Sequence, residues 1–259
     1  QCPPDVPGAE KEDRRRRWLF SQRTVSLLMD KRAFVHRSFA AIAESYDLLN
    51  TLLSFGTDTW WRKWAVKALR PPQKGFVLDC CAGTMRLGRG ILRQWPGARV
   101  MALDFSLMML RRGRKRALGV AITPVGGDAE LLPFRAETFD RAIVGFGIRN
   151  LADQPKGIEE LFRVLTWGGR VVVLEFGRPS LPIFKDLYQW YLSRFIPWAG
   201  GLMSGQKEVY RYLHASIMAF PEPAELMAMM HEAGFSQIRC QKLTAGIANL
   251  YIGEKLLHP

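Results

Sequence analysis

Five short, mostly apolar runs, each ending at an acid or a glycine, constrain this chain more than any other feature. Phe76-Val77-Leu78 leads into Asp79, and Val100-Met101-Ala102-Leu103 leads into Asp104. Further runs span Val120 to Val125, Phe139 to Val144 and Arg170 to Glu175, each followed by helix-like or loop spacing. Continuous apolar strands alternating with helices point to a parallel sheet covered on both faces. The expectation is an α/β, doubly wound, Rossmann-like fold. Two last strand-like runs, Ile238 to Leu243 and Ala248 to Gly253, complete a mostly parallel seven-stranded sheet. Right-handed crossovers put the loops after the strands along one edge, where ligands bind in such sheets. Asp79, Asp104, Asp128 and the pair Arg149-Asn150 all fall at strand ends.

The flanks read differently. Residues 1–18 are Pro-rich, then charged, and are expected to form a disordered basic tail. From 19 to 70 the periodicity is helical, with Phe39, Ile42, Ala43, Tyr46 and Leu49 on one face. This segment is expected to cap a core running from 71 to 259, in which about 181–220 is a helical insertion. There Ile183, Phe184, Leu187, Trp190, Tyr191 and Phe195 recur at helical spacing. Such a stripe belongs to a helix packed on the sheet, to a dimer face, or to a greasy lid that receives a lipid tail and touches a bilayer. No stretch approaches the roughly 18 uninterrupted apolar residues of a membrane-spanning helix.

A formal charge of +13 is compatible with nucleic acid, an anionic lipid surface or neither. Much of it lies in Arg14 to Arg17 and in Arg111, Arg112, Arg114, Lys115 and Arg116. No zinc finger or RNA-binding signature accompanies it, so nucleic acid is not the expected partner. Cys80 and Cys81 are too close for an ordinary disulfide, and the cysteines have no paired metal spacing. Asp5, Glu10, Glu12 and Asp13 argue against an organelle transit peptide, leaving the cytoplasm as the expected compartment.

Asp79 to Met85 combine a strand end, a glycine-bearing turn at Gly83-Thr84 and a helix start. Backbone N–H groups approach a polar ligand closely at such a place. Asp104, an acid ending the second strand, suits a ribose diol. Taken alone, this loop equally fits a nicotinamide enzyme or a plain structural turn.

The later segments narrow the choice. Gly127-Asp128-Ala129-Glu130-Leu131-Leu132-Pro133-Phe134, then Phe139-Asp140, then Phe146-Gly147-Ile148-Arg149-Asn150, resemble the adenine-binding half of class I methyltransferases. The resemblance implies S-adenosylmethionine as cofactor. It puts Asp128 at the adenine amino group and Ala129 beside the ring, with Gly145 leaving room and Asp79, Gly83, Thr84 and Asp104 completing the set.

Phe39 to Gly56, reading F-x-x-I-A-x-x-Y-D-x-x-N-x-x-x-S-F-G with Trp60, Trp61 and Arg62 beyond, is similar to the opening of the ubiquinone/menaquinone biosynthesis C-methyltransferase family. Glu175-Phe176, Tyr210-Arg211-Tyr212-Leu213 with Ser216, Phe220-Pro221 and Leu243-Thr244-Ala245-Gly246 also resemble it. The resemblance implies C-methylation of a prenylated demethyl quinol, of benzoquinol or naphthoquinol type. A homodimer or a quinone-biosynthesis complex is also expected, and the basic charge and the aromatic stripe favour a peripheral position on the inner membrane face. Arg149, Asn150, Tyr46 and Asp47 are then the catalytic candidates. A guanidinium stays protonated above about pH 12, so Arg149 is expected to stabilise a developing phenolate or hold a water rather than act as base.

One departure stands out. The family loop reads D-x-x-G-G-T-G-D, whereas this chain has Asp79-Cys80-Cys81-Ala82-Gly83-Thr84-Met85-Arg86. Met85 is expected to be strained if its φ is positive, and to crowd the methionyl part of the cofactor. Arg86 reverses the charge beside that part's ammonium. The alternatives are a non-catalytic subunit of methyltransferase fold and a methyltransferase for another small lipid or phenol. His214 reads as structural, and Met227, Met229 and Met230 as ordinary core.

Overall fold

The apolar runs become the strands of one sheet in the computed structural model, which describes residues 46–117, 121–179, 182–204 and 207–256. β1 (Phe76–Cys80), β2 (Arg99–Asp104), β3 (Ile122–Gly126), β4 (Phe139–Gly145) and β5 (Leu165–Phe176) pair in parallel. After them come β6 (Ser236–Leu243) and β7 (Ala248–Lys255), and β7 lies antiparallel to both β5 and β6. The order is β3-β2-β1-β4-β5-β7-β6. The expected mostly parallel, seven-stranded sheet is therefore present.

Around it stand α1 (Tyr46–Leu53), α2 (Thr57–Leu69), α3 (Arg86–Gln94), α4 (Leu107–Arg116) and α5 (Gln154–Val164). Then follow α6 (Pro182–Trp190), a π-helical turn (Tyr191–Phe195), α7 (Ile196–Ser204), α8 (Lys207–Met218) and α9 (Pro223–Glu232). One sheet face gives Leu78, Ala142 and Val144 to a core with Ile158 and Leu161 of α5 and Leu226, Met229 and Met230 of α9. The other gives Val77, Ile143 and Val172 to a core with Trp61, Ala65 and Leu69 of α2 and Leu87 and Ile91 of α3. Two buried faces explain why the central strands carry no polar alternation. Among the described residues, no helix is long and apolar enough to cross a membrane.

Some boundaries differ from the sequence pattern. The third strand starts at Ile122, and Val120 lies outside the described residues. β5 begins at Leu165, ahead of the expected Arg170, because the chain bulges through Trp167-Gly168-Gly169 before resuming register with β4. Gly168 has φ +78°, where a side chain would be strained. The expected tail at 1–18, and Phe39, Ile42 and Ala43, lie outside the described residues.

Ser106 caps α4 as its position suggests, its hydroxyl accepting from the Met109 N–H at 3.5 Å. Within α4, Gly113 lets the helix approach the loop after β1. A Cβ there would stand 2.8 Å from the Thr84 carbonyl and 3.0 Å from Met85 Cγ. Alanine normally gains about 1 kcal/mol over glycine inside a helix, but forced overpacking costs about 1–3 kcal/mol. Gly113→Ala is therefore expected to destabilise the fold by about 1 kcal/mol, read as a lower urea midpoint. A raised midpoint would show that the contact yields freely.

Candidate active site

The carboxyl ends of β1, β2 and β4 surround a cleft with about 840 Å³ of free space, part of it open to solvent. Gly83, Asp104, Asp128, Ala129, Gly145 and Asn150 all line it. Six residues singled out from sequence thus converge there from five separate strand ends and turns.

Asp104 fastens two of these turns together. One carboxylate oxygen accepts from the Gly83 N–H at 2.8 Å, and the other accepts from the Ser106 N–H at 2.8 Å. The loops after β1 and β2 are thereby held in fixed relation. Asp128 shapes its own turn, accepting from the Glu130 N–H at 2.9 Å. Glu130, which the sequence did not mark, is buried at the cleft and accepts from the Ala152 N–H at 2.7 Å. Gly83 has φ +52°, and an added Cβ would touch only Met109 Cε, at 3.4 Å, so the turn exposes backbone toward open space. Gly145 needs its smallness for a further reason: a Cβ would come within 2.5 Å of Leu87 Cδ1 on α3.

The remaining candidates lie behind or beside the cleft. Thr84 donates to Asp47 at 2.6 Å, and Asp47 also pairs with Arg116, so α1 is tied to both the glycine loop and α4. Tyr46 is the first residue of α1. Arg149 is buried, its Nη1 donating to Glu175 at 2.7 Å and to the Phe146 carbonyl at 2.5 Å. The Arg149 backbone N–H also reaches Glu175, at 3.2 Å, and its guanidinium carbon stands 5.1 Å from the Phe176 ring centre. Asn150, the neighbour that lines the cleft, donates to the Phe146 carbonyl at 3.2 Å and accepts from the Tyr212 hydroxyl at 3.2 Å. Burial pushes the Tyr212 phenol above its ordinary value, against the pull of the Arg149 charge. Glu175 and Tyr212 received no role from sequence. A charge closing the apolar run Val171 to Leu174 was the available signal for Glu175.

The altered loop resolves differently from its sequence expectation. Met85 does have positive φ, 60°, a conformation that costs about 1–2 kcal/mol for a residue with a Cβ. Its side chain, however, is 1% exposed and packs with Ala102 and Leu110, away from the cleft. Burying a methionine is worth about 1.5–3 kcal/mol, which offsets the strain. Arg86 turns to α2, donating to Asp58 at 2.5 Å and to Thr59 at 3.0 Å. Asp58 is buried and also faces Arg62 at 3.6 Å.

The model of the ubiE/COQ5 methyltransferase family matches residues 26–255. The chain belongs to that family. It is 43% identical over 219 residues to a demethylmenaquinone methyltransferase of Thermus thermophilus, covering 84% of this chain and 99% of the relative. It is 39% identical over 233 residues to a ubiquinone/menaquinone biosynthesis C-methyltransferase UbiE of Geotalea uraniireducens, covering 88% and 99%. Among solved structures, a Haemonchus contortus phosphoethanolamine N-methyltransferase 2 in complex with S-adenosyl-L-methionine aligns with TM-score 0.62 at 17% identity, covering 88% of this chain and 60% of the other. The fold is that of the class I methyltransferases.

Asp79 ends β1 but does not line the cleft. It is fully buried, its Oδ2 accepting from the Gly88 N–H at 2.8 Å, while no partner is found for Oδ1 among the described residues. Burial lifts its carboxyl from 3.8 to about 7, with the Gly88 N–H and Arg62 opposing and the Asp104 charge adding. Between those values the folded chain keeps a proton that the unfolded chain releases, so stability falls as pH rises from about 4 to about 7. Asp79→Asn, which keeps an acceptor for Gly88, is expected to flatten that slope in urea titrations. An unchanged slope would assign the pH dependence elsewhere.

Proposed function

We propose that this chain transfers a methyl group from S-adenosylmethionine to a ring carbon of a prenylated demethyl quinol in menaquinone or ubiquinone biosynthesis. The observation that carries the reading is the 43% identity, over 84% of this chain and 99% of the relative, to a demethylmenaquinone methyltransferase.

The residues at the cleft fit the cofactor. The Gly83 turn opens onto free space, an acid ends β2, and a second acid sits in the turn after β3. In this reading Asp104 holds the ribose, Asp128 and Ala129 take the adenine edge, and the Gly83-Thr84 turn takes the methionyl end. Asp79 supports this set from beneath, through Gly88 of α3. When bound, the cofactor supplies an electrophilic methyl on sulfur. Everything else falls to the chain.

A quinol ring carbon becomes nucleophilic as its hydroxyl gives up a proton, so the site must position the ring, exclude water and ease that loss. Asn150 offers its amide from the cleft wall, and Tyr212 fixes that amide from behind. Burial keeps the Tyr212 phenol protonated, so it serves as donor rather than base. Arg149, clamped by Glu175, holds the Phe146–Asn150 turn and places a cation behind the developing phenolate. Asp47 joins α1 to the cofactor turn through Thr84, and Tyr46, the first residue of α1, is kept as a catalytic candidate on its family signature.

Incubation with labelled S-adenosylmethionine and each demethyl quinol is expected to add one ring methyl to at least one of them, identified by mass. Transfer to neither sinks the proposal. Asp104→Ala is expected to weaken S-adenosylmethionine binding about tenfold or more in calorimetry, and unaltered affinity would remove Asp104 from the cofactor site.

A further inference from the structure

The turn between β3 and β4 has little of its own to hold its shape. Residues 127–134 carry one isolated bridge, Asp128 with Leu131, and Leu131 and Pro133 are exposed along it. Its start is tied to β2, the Gly127 N–H reaching the Asp104 carbonyl at 3.2 Å. Its far end is held from α5. There Arg163 lies one helical turn beyond Glu160 and meets both carboxylate oxygens, Nε to Oε1 at 2.7 Å and Nη2 to Oε2 at 2.8 Å. Glu160 Oε2 also accepts from the Leu132 N–H at 2.7 Å. Arg163 in turn donates to the Leu132 carbonyl at 3.0 Å and to the Phe134 carbonyl at 2.8 Å. One ion pair thus occupies both polar backbone groups of Leu132, whose side chain is buried in the sheet core.

The Arg163 side chain is 37% exposed, so the attraction between the two charges adds little to stability by itself. The planar fork adds geometry, because its N–H groups point in fixed directions and those of a lysine do not. The Arg163 hydrogen bond holds the Glu160 carboxyl below its ordinary value, against the opposing effect of burial. Earlier in the same turn, Glu130 accepts from the Ala152 N–H, just ahead of α5. α5 and the residues leading into it therefore hold the turn at two points, although none of the described residues lining the cleft belongs to α5. We propose that Glu160 and Arg163 are positioning residues for the cofactor, acting through Leu132 and Phe134 to keep Asp128 and Ala129 where the adenine edge binds. This role rests on the proposed function and lies one layer behind it. A turn already set in its bound shape loses less freedom when the ligand arrives, which tightens binding. Without the fork, water competes for the Leu132 and Phe134 groups at this exposed edge, and the turn samples several shapes.

Arg163→Ala is expected to raise the Kd for S-adenosylmethionine about tenfold in calorimetry, and the cofactor KM with it. The kcat at saturating cofactor and the KM for the quinol are expected to stay unchanged. Arg163→Lys, which keeps the charge without the fork, is expected to bind nearly as weakly as Arg163→Ala. Glu160→Gln still accepts from the Leu132 N–H and is expected to bind more tightly than Glu160→Ala. In the free protein, the Leu132 amide is expected to exchange faster in Arg163→Ala while the central strands keep their protection. Three outcomes overturn the proposal: unchanged affinity in Arg163→Ala whatever its urea midpoint, a loss of kcat at saturating cofactor with Kd intact, or full affinity in Arg163→Lys. Should Arg163→Ala fail to fold, Arg163→Lys and Glu160→Gln decide by the same comparison. A wild-type chain that binds S-adenosylmethionine but methylates neither quinol sinks the functional reading, and the affinities then judge the clamp alone. Methyl transfer with every variant binding like wild type sinks the clamp and leaves the function standing. A wild-type chain that binds no S-adenosylmethionine sinks both.

Discussion

A carboxylate with no access to water, Glu175, governs the arrangement at the end of the sheet. A buried charge persists only when it is paired and hydrogen-bonded. Glu175 meets that condition with the Arg149 guanidinium and backbone N–H and with its neighbour's N–H at Phe176. This joins the turn after β4 to the end of β5, and Arg149 also holds the Phe146 carbonyl that Asn150 shares. The outward-facing group is therefore the amide of Asn150. Arg149 acts by fixing that amide and by its field. Breaking such a pair from one side costs about 3–5 kcal/mol, so geometry at the cleft and stability of the sheet edge are one property.

Asp104 plays the matching part on the other side, with both oxygens accepting from backbone N–H groups of different loops. The cleft is thus bordered by two acid-centred clamps, each joining the ends of neighbouring strands. Between them the glycine loop tolerates its unusual residues because its surroundings accommodate them. Gly113 leaves the space that Met85 uses, and Asp58 supplies the charge that Arg86 lacks in its own loop. The same Asp58 faces Arg62, so α2 is anchored to the loop by charge as well as by the packing of Trp61.

Much of this was legible in the sequence, for a physical reason. Strands buried on both faces must be apolar throughout, so an acid closing the run marks its end, as with Asp79 and Asp104. The lining positions Gly83, Asp104, Asp128 and Asn150 follow from that placement, whereas Ala129 and Gly145 came from the resemblance to class I methyltransferases. Side-chain direction was not legible. Periodicity does not tell where a methionine at φ 60° points, and Met85 leaves the cleft for the core. Nor does it reveal pairs distant in the chain, such as Arg149 with Glu175 or the Trp61 indole donating to Thr244 at 2.8 Å.

The aromatic helix shows the same limit most sharply. Counting at 3.6 residues per turn put Leu187, Trp190, Tyr191 and Phe195 on one face. The π turn at Tyr191–Phe195 takes more residues per turn. Buried positions still recur at the ordinary helical spacing of four, Tyr188, Leu192 and Ile196, while Tyr191 stacks on Phe195 with centres 5.2 Å apart. Leu187 and Trp190, which precede the π turn, face outward, as do Trp198 and Leu202 beyond it. Leu187, Trp190, Trp198 and Leu202 are separated by three, eight and four residues, spacings that share one face of a regular helix, so the bare stripe does not depend on the π turn. The segment thus packs its tyrosine and aliphatic side toward α8 and keeps its tryptophans outside.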